Sequence, residues 1–545
     1  MRTGGQILAD CLSKQGVKTI FGVPGESYLA VLDAFVDHPE IRLIGNRNEG
    51  GAAFMACAQG QLTGEPGICF VTRGPGATNA SIGVHTAMQG SNPMILFIGQ
   101  VGRDMRGREA FQEVDYRAFY GPIAKWVTEI DEAARIPETV ARAFAVAQSG
   151  RPGPVVIALP EDMLRSMAEA TAAPKVRIPE AAPTPDAIYD LQKAFSRAER
   201  PLLLIGGSGW SPKGRSDLQS FVENNHLPVA SAFRFQDILD NHSPSYIGDA
   251  GLGKTPALKS AIENADLVFA LNIRFGENTT DGYEIFPVPR IGKSLLHSHA
   301  SDLELGKIYQ PDVPIHAGPN ALTSVLAQLN LRGPWRDWAA EQRAAYEASM
   351  ALPRRENSVD MGAVVTHLQQ ALPEDAILTN GAGNFAIWHN KYFEYGPEAR
   401  LLAPQSGAMG YGLPAAIAAK TEHPERLVVC IAGDGDFQMN MQELGTAMQE
   451  GAQPVVIVVN NGTYGTIKMH QERDYPNRTS FTDIENPDFV AIAKAYGFHA
   501  EKVTETADFA AAFTRAAQST TGGLLELIVD PENITPKATL SQIRG

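Results

Sequence analysis

Cysteine is scarce: 545 residues include only Cys11, Cys57, Cys69 and Cys430. None stands in a CxxC spacing or beside histidines, so neither a zinc site nor a disulfide framework is indicated, and all four read as reduced, buried small residues. Long apolar runs are missing too. PMILFIG at 93–99 and LVVCIAG at 427–433 stop far short of the roughly 18 residues a membrane span needs. Basic charge is in deficit, 46 Lys and Arg against 61 Asp and Glu, for a formal charge of -15. That balance opposes a broad nucleic-acid or anionic-membrane surface. No signal-like apolar block follows Arg2, because Asp10 and Lys14 soon intervene, and the expectation is a cytoplasmic protein. The sequence also lacks short repeats and low-complexity segments. The remaining composition, 44% hydrophobic and 20% charged, is that of a folded protein, and the length suggests three or four domains at about 150 residues each.

Apolar runs alternate with amphipathic stretches from residue 5 to about 100: Ile7, Leu8, Cys11 and Leu12 at helical spacing, then KTIFG, SYLAVLDAFVDH, IRLIG, an Ala-rich helix from Glu49, GICFVT, a helix from Ala77 and PMILFIG. This βαβα order predicts a parallel sheet covered on both faces. Residues 166–188, rich in Ala, Pro and Thr, read as a linker. LLLIG at 202–206 opens a second α/β unit that includes ADLVFALN at 265–272. In the third unit AILTNG, RLVVCIAGDG, PVVIVVNNG and LLELIVD are strand candidates, apolar almost throughout as buried parallel strands are. The expected fold is α/β in three domains, 1–165, 186–332 and 358–545, each a mostly parallel sheet flanked by helices.

Residues 433–464, GDGDFQMNMQELGTAMQEGAQPVVIVVNNGTY, carry the chemistry. A strand runs into Gly433, Asp434 and Gly435, and a helix with Phe437, Met441, Leu444 and Met448 on one face follows. A second buried strand then delivers Asn460 and Asn461. The C-terminal ends of adjacent parallel strands lie side by side, so Asp434 and Asn461 can converge. One carboxylate, one amide oxygen and a backbone carbonyl suit magnesium when phosphate oxygens complete the octahedron. Glycines beside the aspartate admit those phosphates, and the helix N-terminus stabilises their charge. A tight turn and a strand cap would account for GDG alone, but not for GDG with the paired asparagines one helix and one strand later.

This arrangement resembles the thiamine diphosphate enzymes, whose cofactor motif is GDG followed by NN after such an interval, and among them the acetolactate synthase (acetohydroxyacid synthase) catalytic subunits and their like-named relatives. FGVPGE at 21–26, RNEGGAAF at 47–54, RGPGATNA at 73–80, AFQEVD at 110–115, GRPGPVVIALP at 150–160 and SGAMGYGLPAAI at 406–417 follow in that family's order. The resemblance implies an N-terminal pyrimidine-binding domain, a central domain and a C-terminal domain binding thiamine diphosphate and magnesium. It implies Asp434, Asn461 and the carbonyl of Thr463 as metal ligands. Gly383, Asn384 and Phe385 match the loop that grips the diphosphate. Gly407 and Met409 match pyrimidine contacts, Met409 being the wedge that bends the cofactor. Gly25, Gly433, Gly435, Asp436 and Tyr464 are further expected cofactor contacts. Glu49 matches the glutamate that hydrogen-bonds the aminopyrimidine and does acid–base work there, while Phe111 and Gln112 match residues lining the reaction centre. Lys125 or Arg73 would attract a substrate carboxylate, with His85 and His470 as further candidates.

The implied reaction is loss of carbon dioxide from a pyruvate-like 2-oxo acid and transfer of the remaining fragment to a second carbonyl. Alternatives are simple decarboxylation, another carbon–carbon lyase or hydrolase reaction, or a non-catalytic cofactor-binding regulatory protein. A homodimer or homotetramer is implied, with Glu49 of one subunit meeting the diphosphate domain of another. IGGSGW at 205–210 and NIRFGENTTDGY at 272–283 occupy the ground of the synthases' FAD site, so FAD is a further candidate cofactor, although GENTT replaces the usual arginine and aspartate pattern. Other departures are Glu26 and Ser27 for the usual Gly and Ala, Asn48 for His, and His470 for the Trp that helps choose the second oxo acid.

Overall fold

A computed structural model describes residues 1–356 and 358–545. The apolar runs form three six-stranded sheets, all parallel. In the first, the spatial order is Arg42–Gly45, Thr19–Gly22, Gly67–Val71, Met94–Gln100, Pro154–Pro160, Trp126–Glu129. In the third it is Arg400–Leu402, Ile377–Asn380, Val428–Gly433, Val455–Asn460, Gly523–Ile528, His499–Val503. Numbered along the chain, both sheets read 2-1-3-4-6-5. The central sheet runs Tyr246–Asp249, Val229–Ser231, Pro201–Ile205, Leu267–Leu271, Ser294–His299, Val313–His316. Its order, 3-2-1-4-5-6, is that of dinucleotide-binding sheets, whose ligands sit where the strand order reverses.

The first and third units share one hydrophobic core. Helix Glu49–Thr63 is capped by Asn48, whose side-chain oxygen accepts the Gly50 N–H at 2.8 Å. Its Gly50-Gly51-Ala52-Ala53 start is buried, which lets neighbouring helices approach closely: a Cβ on Gly83 would lie 2.4 Å from that of Ala53. Phe54 from this helix meets Tyr411 edge-on, ring centroids 5.4 Å apart, and both are buried. Each buried ring of that kind contributes about 1.5–3 kcal/mol of transfer free energy.

Two local expectations change. Residues 169–183 have no regular structure, but the linker is docked: Met167–Ala168 pairs with Arg2–Thr3, and Gln15 bonds Pro174 and Val176, each at 3.0 Å. The helix after GDG is not continuous. It breaks into Asp434–Gln438, a 3-10 turn Met441–Glu443 and Leu444–Glu450. At the break Asn440 leaves helical geometry and its amide donates to the Gly410 carbonyl at 2.8 Å, a local side-chain bond that competes with the helix. No helix among the described residues is long and apolar enough to cross a membrane.

Candidate active site

In the third sheet the order reverses between Ile377–Asn380 and Val428–Gly433, and the loops leaving these strands diverge. They bound a cavity of about 230 Å³ lined by Gly383, Asn384, Phe385, Gly407, Met409, Gly433, Asp434, Gly435, Asp436, Asn461, Thr463 and Tyr464. The metal and cofactor residues expected from the C-terminal unit are therefore gathered in one place, while His470 does not line it. Asp434 opens its helix and is buried. One carboxylate oxygen accepts the Gly435 N–H at 2.9 Å; the other accepts the Gly462 N–H at 2.8 Å and the Asn486 amide at 2.7 Å. Burial still pushes its pKa above the usual carboxylate range despite these bonds, so a cation here would offset the cost of its charge. Among the described residues the Asn461 side-chain oxygen is engaged only by the Thr463 N–H, at 3.2 Å.

Asp436 ties three loops together. One oxygen accepts the Ala382 N–H at 3.1 Å and the Gly410 N–H at 2.8 Å, while the other is buried with no hydrogen-bond partner among the described residues. Burial raises its carboxyl to about 7. The glycines keep the floor open: a Cβ on Gly433 would meet the Phe385 ring at 2.8 Å, and one on Gly435 the Tyr464 ring at 2.7 Å. A single carboxylate with amide and carbonyl oxygens, beside glycine backbone and a helix start, fits a magnesium-bridged diphosphate.

Of the N-terminal candidates, Gly25, Glu49 and Arg73 follow closely on strands of the first sheet, and Phe111 and Gln112 lie in the longer loop after Met94–Gln100; none of them lines this cavity. Glu49 begins its helix and accepts the Asn79 amide at 2.9 Å; a Cβ on Gly76 would lie 3.3 Å from its other oxygen. Gly25 sits against Thr72, 2.5 Å from where its Cβ would be. Gln112 holds a φ of 66° against Gly74, and Phe111 stands 74% exposed. The N-terminal candidates and the cavity-lining residues thus form two separate groups in one chain.

Two candidate substrate anchors are already engaged. The Lys125 ammonium donates to the carbonyls of Val146 and Ser149, and burial lowers its pKa to about 8. That is a helix C-terminal cap. Arg73, also buried, pairs with Glu26 at 3.2 Å and Glu161 at 3.3 Å, so its charge is already balanced. His85 lines a cavity against the central unit, and His470 lies on the helix Gly465–Asp474 with Nδ1 buried and unpartnered.

Glu443 escaped sequence reasoning. Its carboxylate is fully buried and accepts the backbone N–H groups of Arg47 at 3.1 Å and Asn48 at 3.0 Å, the Asn46 amide at 3.1 Å and the Thr446 hydroxyl at 2.6 Å. It holds the loop that leads into Glu49. Asn486, bonded to Asp434, was missed as well; Glu443 lies within the 433–464 stretch but between its GDG and NN signatures, and Asn486 lies beyond it.

The two segments considered for FAD line two adjoining cavities, of about 480 and 350 Å³, that share Ser91, Gly207 and Arg274. They open at the reversal of the central sheet, after Pro201–Ile205 and Leu267–Leu271. Among the described residues the buried Arg274 Nε has no hydrogen-bond partner there and lies 3.9 Å from a Glu304 carboxylate oxygen.

Three family models match the chain: the thiamine pyrophosphate enzyme N-terminal TPP binding domain over residues 2–119, the central domain over 188–329, and the C-terminal TPP binding domain over 381–527. The acetolactate synthase isozyme 2 large subunit of Escherichia coli (strain K12) is 30% identical over 541 residues, 98% of this chain and 97% of its own length. The acetolactate synthase large subunit of Parasynechococcus marenigrum (strain WH8102) is 32% identical over 97% of this chain and 87% of its own. The acetolactate synthase of Arthrospira platensis is 32% identical over 92% and 90%. With three matched domains in order and this likeness along nearly its whole length, the chain belongs to the thiamine pyrophosphate enzyme family, among relatives of the acetolactate synthase large subunits.

Proposed function

We propose that the protein is a thiamine diphosphate- and magnesium-dependent enzyme that removes carbon dioxide from a pyruvate-like 2-oxo acid and joins the remaining fragment to a second carbonyl. The observation that carries this reading is the C-terminal cavity, where the expected metal and diphosphate residues line one space. Asp434, Asn461 and the Thr463 carbonyl would hold the metal, and Gly383, Asn384 and Phe385 the diphosphate. Met409 and Gly407 would position the pyrimidine. When bound, the cofactor supplies the electron sink for cleaving a bond beside a carbonyl. Glu49 holds or releases a proton at the pyrimidine nitrogen, and Phe111 and Gln112 shield the reacting carbonyl from water.

On this reading a complete site takes residues from two chains, a view supported by the absence of Glu49 from the cavity that Asp434 lines. A homodimer, or a tetramer of two such dimers, supplies Glu49 from one protomer to the cavity of the other. FAD would lie along the central sheet at its reversal, with Arg274 toward its phosphates. Four buried, unpaired cysteines suit a reducing cytoplasm. Incubation with pyruvate, thiamine diphosphate and magnesium, assayed together for carbon dioxide, acetaldehyde and acetolactate, tests the reading. Acetolactate supports it, acetaldehyde alone selects simple decarboxylation, and no carbon dioxide from any 2-oxo acid overturns it.

A further inference from the structure

Arg234 belongs to the central unit, yet its side-chain hydrogen bonds run to the C-terminal unit. It follows the strand Val229–Ser231 and is only 5% exposed. One terminal guanidinium nitrogen donates to the Pro404 carbonyl, the other to the Gly381 carbonyl at 3.1 Å. Its Nε is buried with no hydrogen-bond partner among the described residues, and the guanidinium carbon lies 4.8 Å from the Phe233 ring centre. The bonds therefore go to carbonyls, while Asp436 and Asp249 favour its charge through their field.

Two costs meet at this residue. A cation taken out of water and bonded to carbonyls alone loses hydration that no close opposite charge replaces. The backbone also holds a φ of 62°, in the left-handed region that a Cβ disfavours. Costs of this kind persist where the surrounding structure uses the residue. What Arg234 holds is therefore the question.

The Gly381 carbonyl and the Ala382 N–H are the two ends of one peptide group. Arg234 takes the first and Asp436 the second, at 3.1 Å each. That peptide opens the turn whose next residues, Gly383, Asn384 and Phe385, line the cofactor cavity. The Pro404 carbonyl also accepts the Gly407 N–H at 3.0 Å, closing the turn that carries Gly407 toward Met409. Asp436 holds the far end of this second loop through the Gly410 N–H at 2.8 Å. The same two loops are thus gripped twice, by their carbonyls from Arg234 and by their N–H groups from Asp436. Gln405 returns the link to the central unit, donating to the Phe233 carbonyl at 2.8 Å. Arg234 itself does not line the cofactor cavity; it faces a neighbouring space of about 250 Å³.

We propose that Arg234 is a positioning residue for the cofactor site: from the central unit it fixes the diphosphate loop and the pyrimidine loop at the spacing that thiamine diphosphate requires. The inference rests on the thiamine diphosphate reading of the C-terminal cavity. Without the guanidinium, Asp436 still holds the N–H side of both loops, but the carbonyls of Gly381 and Pro404 lose their anchor. Ordering the loops is then left to the binding step, where its cost weakens affinity. The central unit in this way contributes to cofactor binding without touching the cofactor.

The test is Arg234→Gly, which removes the guanidinium and leaves a residue at ease with the positive φ. Calorimetry of the full chain with thiamine diphosphate and magnesium should show affinity reduced about tenfold or more, as expected for two lost charge-assisted bonds. Guanidinium chloride at a sub-denaturing concentration should restore most of that affinity, whereas equal urea or sodium chloride should not. Hydrogen exchange without cofactor should quicken in 381–385 and 404–410 and stay at the parental rate in the first sheet. If the glycine variant does not fold, Arg234→Lys serves: it keeps the charge but not the planar fork that spans two carbonyls, and should show a smaller loss of the same kind. Parental affinity and parental exchange in the folded variant overturn the inference. So does lost affinity that guanidinium does not restore, with exchange quickened throughout the C-terminal unit, because that is the mark of a general structural role. A parent that binds no thiamine diphosphate overturns the functional reading and this inference with it; a parent that binds while the variant binds equally well overturns this inference alone.

Discussion

The first and third sheets share the order 2-1-3-4-6-5 and the same point of reversal, yet they use it in opposite ways. In the third sheet the crevice between the first and third strands is open, floored by glycines, with Asp434 and Asp436 at its edge. In the first sheet it is closed. Arg73, after the third strand, reaches across to Glu26, after the first, and Gly25 packs directly on Thr72. Topology supplies a place for a ligand in both, but loop residues decide whether that place is kept. The first sheet instead presents Glu49 from the loop after its second strand, the position from which the third sheet presents Gly407 and Met409. One scaffold therefore appears twice, once with an open crevice and once with a closed one; on the proposed reading the open one holds an anion and the closed one supplies a proton donor.

Removing what only the open crevice has should cost most. Asp434→Ala should weaken cofactor binding by at least about 100-fold and leave the fold intact, as read by calorimetry with magnesium present. On the donor side, Glu49→Gln should lower kcat by about 100- to 10,000-fold, the usual span of general acid–base catalysis, while calorimetry shows little change in cofactor affinity. The contrast between lost binding and lost turnover is the comparison restated as measurement; two variants with the same phenotype would break it.

A smaller effect is expected at the joint between the two sheets. Glu443→Gln should cost about 1–3 kcal/mol of stability through weakened bonds to Arg47 and Asn48, and about tenfold in kcat because Glu49 loses its support. Burial raises the Glu443 carboxyl above its unfolded value. The folded parent then holds the proton more tightly, so its stability falls as pH rises past the unfolded value. Thermal melts should accordingly show the variant's deficit narrowing from pH 5 to pH 8. The smallest effect belongs to Glu26→Gly, which releases one arm of the Arg73 clamp. A partly exposed pair is worth up to about 1 kcal/mol, so KM for an anionic acceptor should fall about three- to fivefold in initial-rate assays.

What the sequence revealed follows the physics of burial. Central strands such as Met94–Gln100 and Val455–Asn460 are covered on both faces and write themselves as unbroken apolar runs. Trp126–Glu129 and His499–Val503 lie at sheet edges with mixed burial, and their polar patterns do not announce a strand. GDG and the asparagine pair were legible because consecutive strands of one sheet bring them together. The break at Asn440 was not, since it depends on a carbonyl in another loop. Glu443 was hidden for the same reason at longer range: its partner Asn46 is 397 residues away along the chain. Lys125 and Arg73 looked available only because a sequence does not show existing partners.

The central claim, that each complete site takes its cavity from one chain and its Glu49 from another, has a direct test. Asp434→Ala and Glu49→Gln proteins, each inactive alone, are dissociated, mixed in equal amounts and reassociated with thiamine diphosphate and magnesium. In a mixed dimer the Glu49 of the first protein faces the intact cavity of the second, so one of its two sites is whole. With random pairing of a twofold dimer, about a quarter of the parental activity should return. If the mixture stays as inactive as its components although mixed dimers have formed, the two half-sites do not meet across chains and the account is wrong.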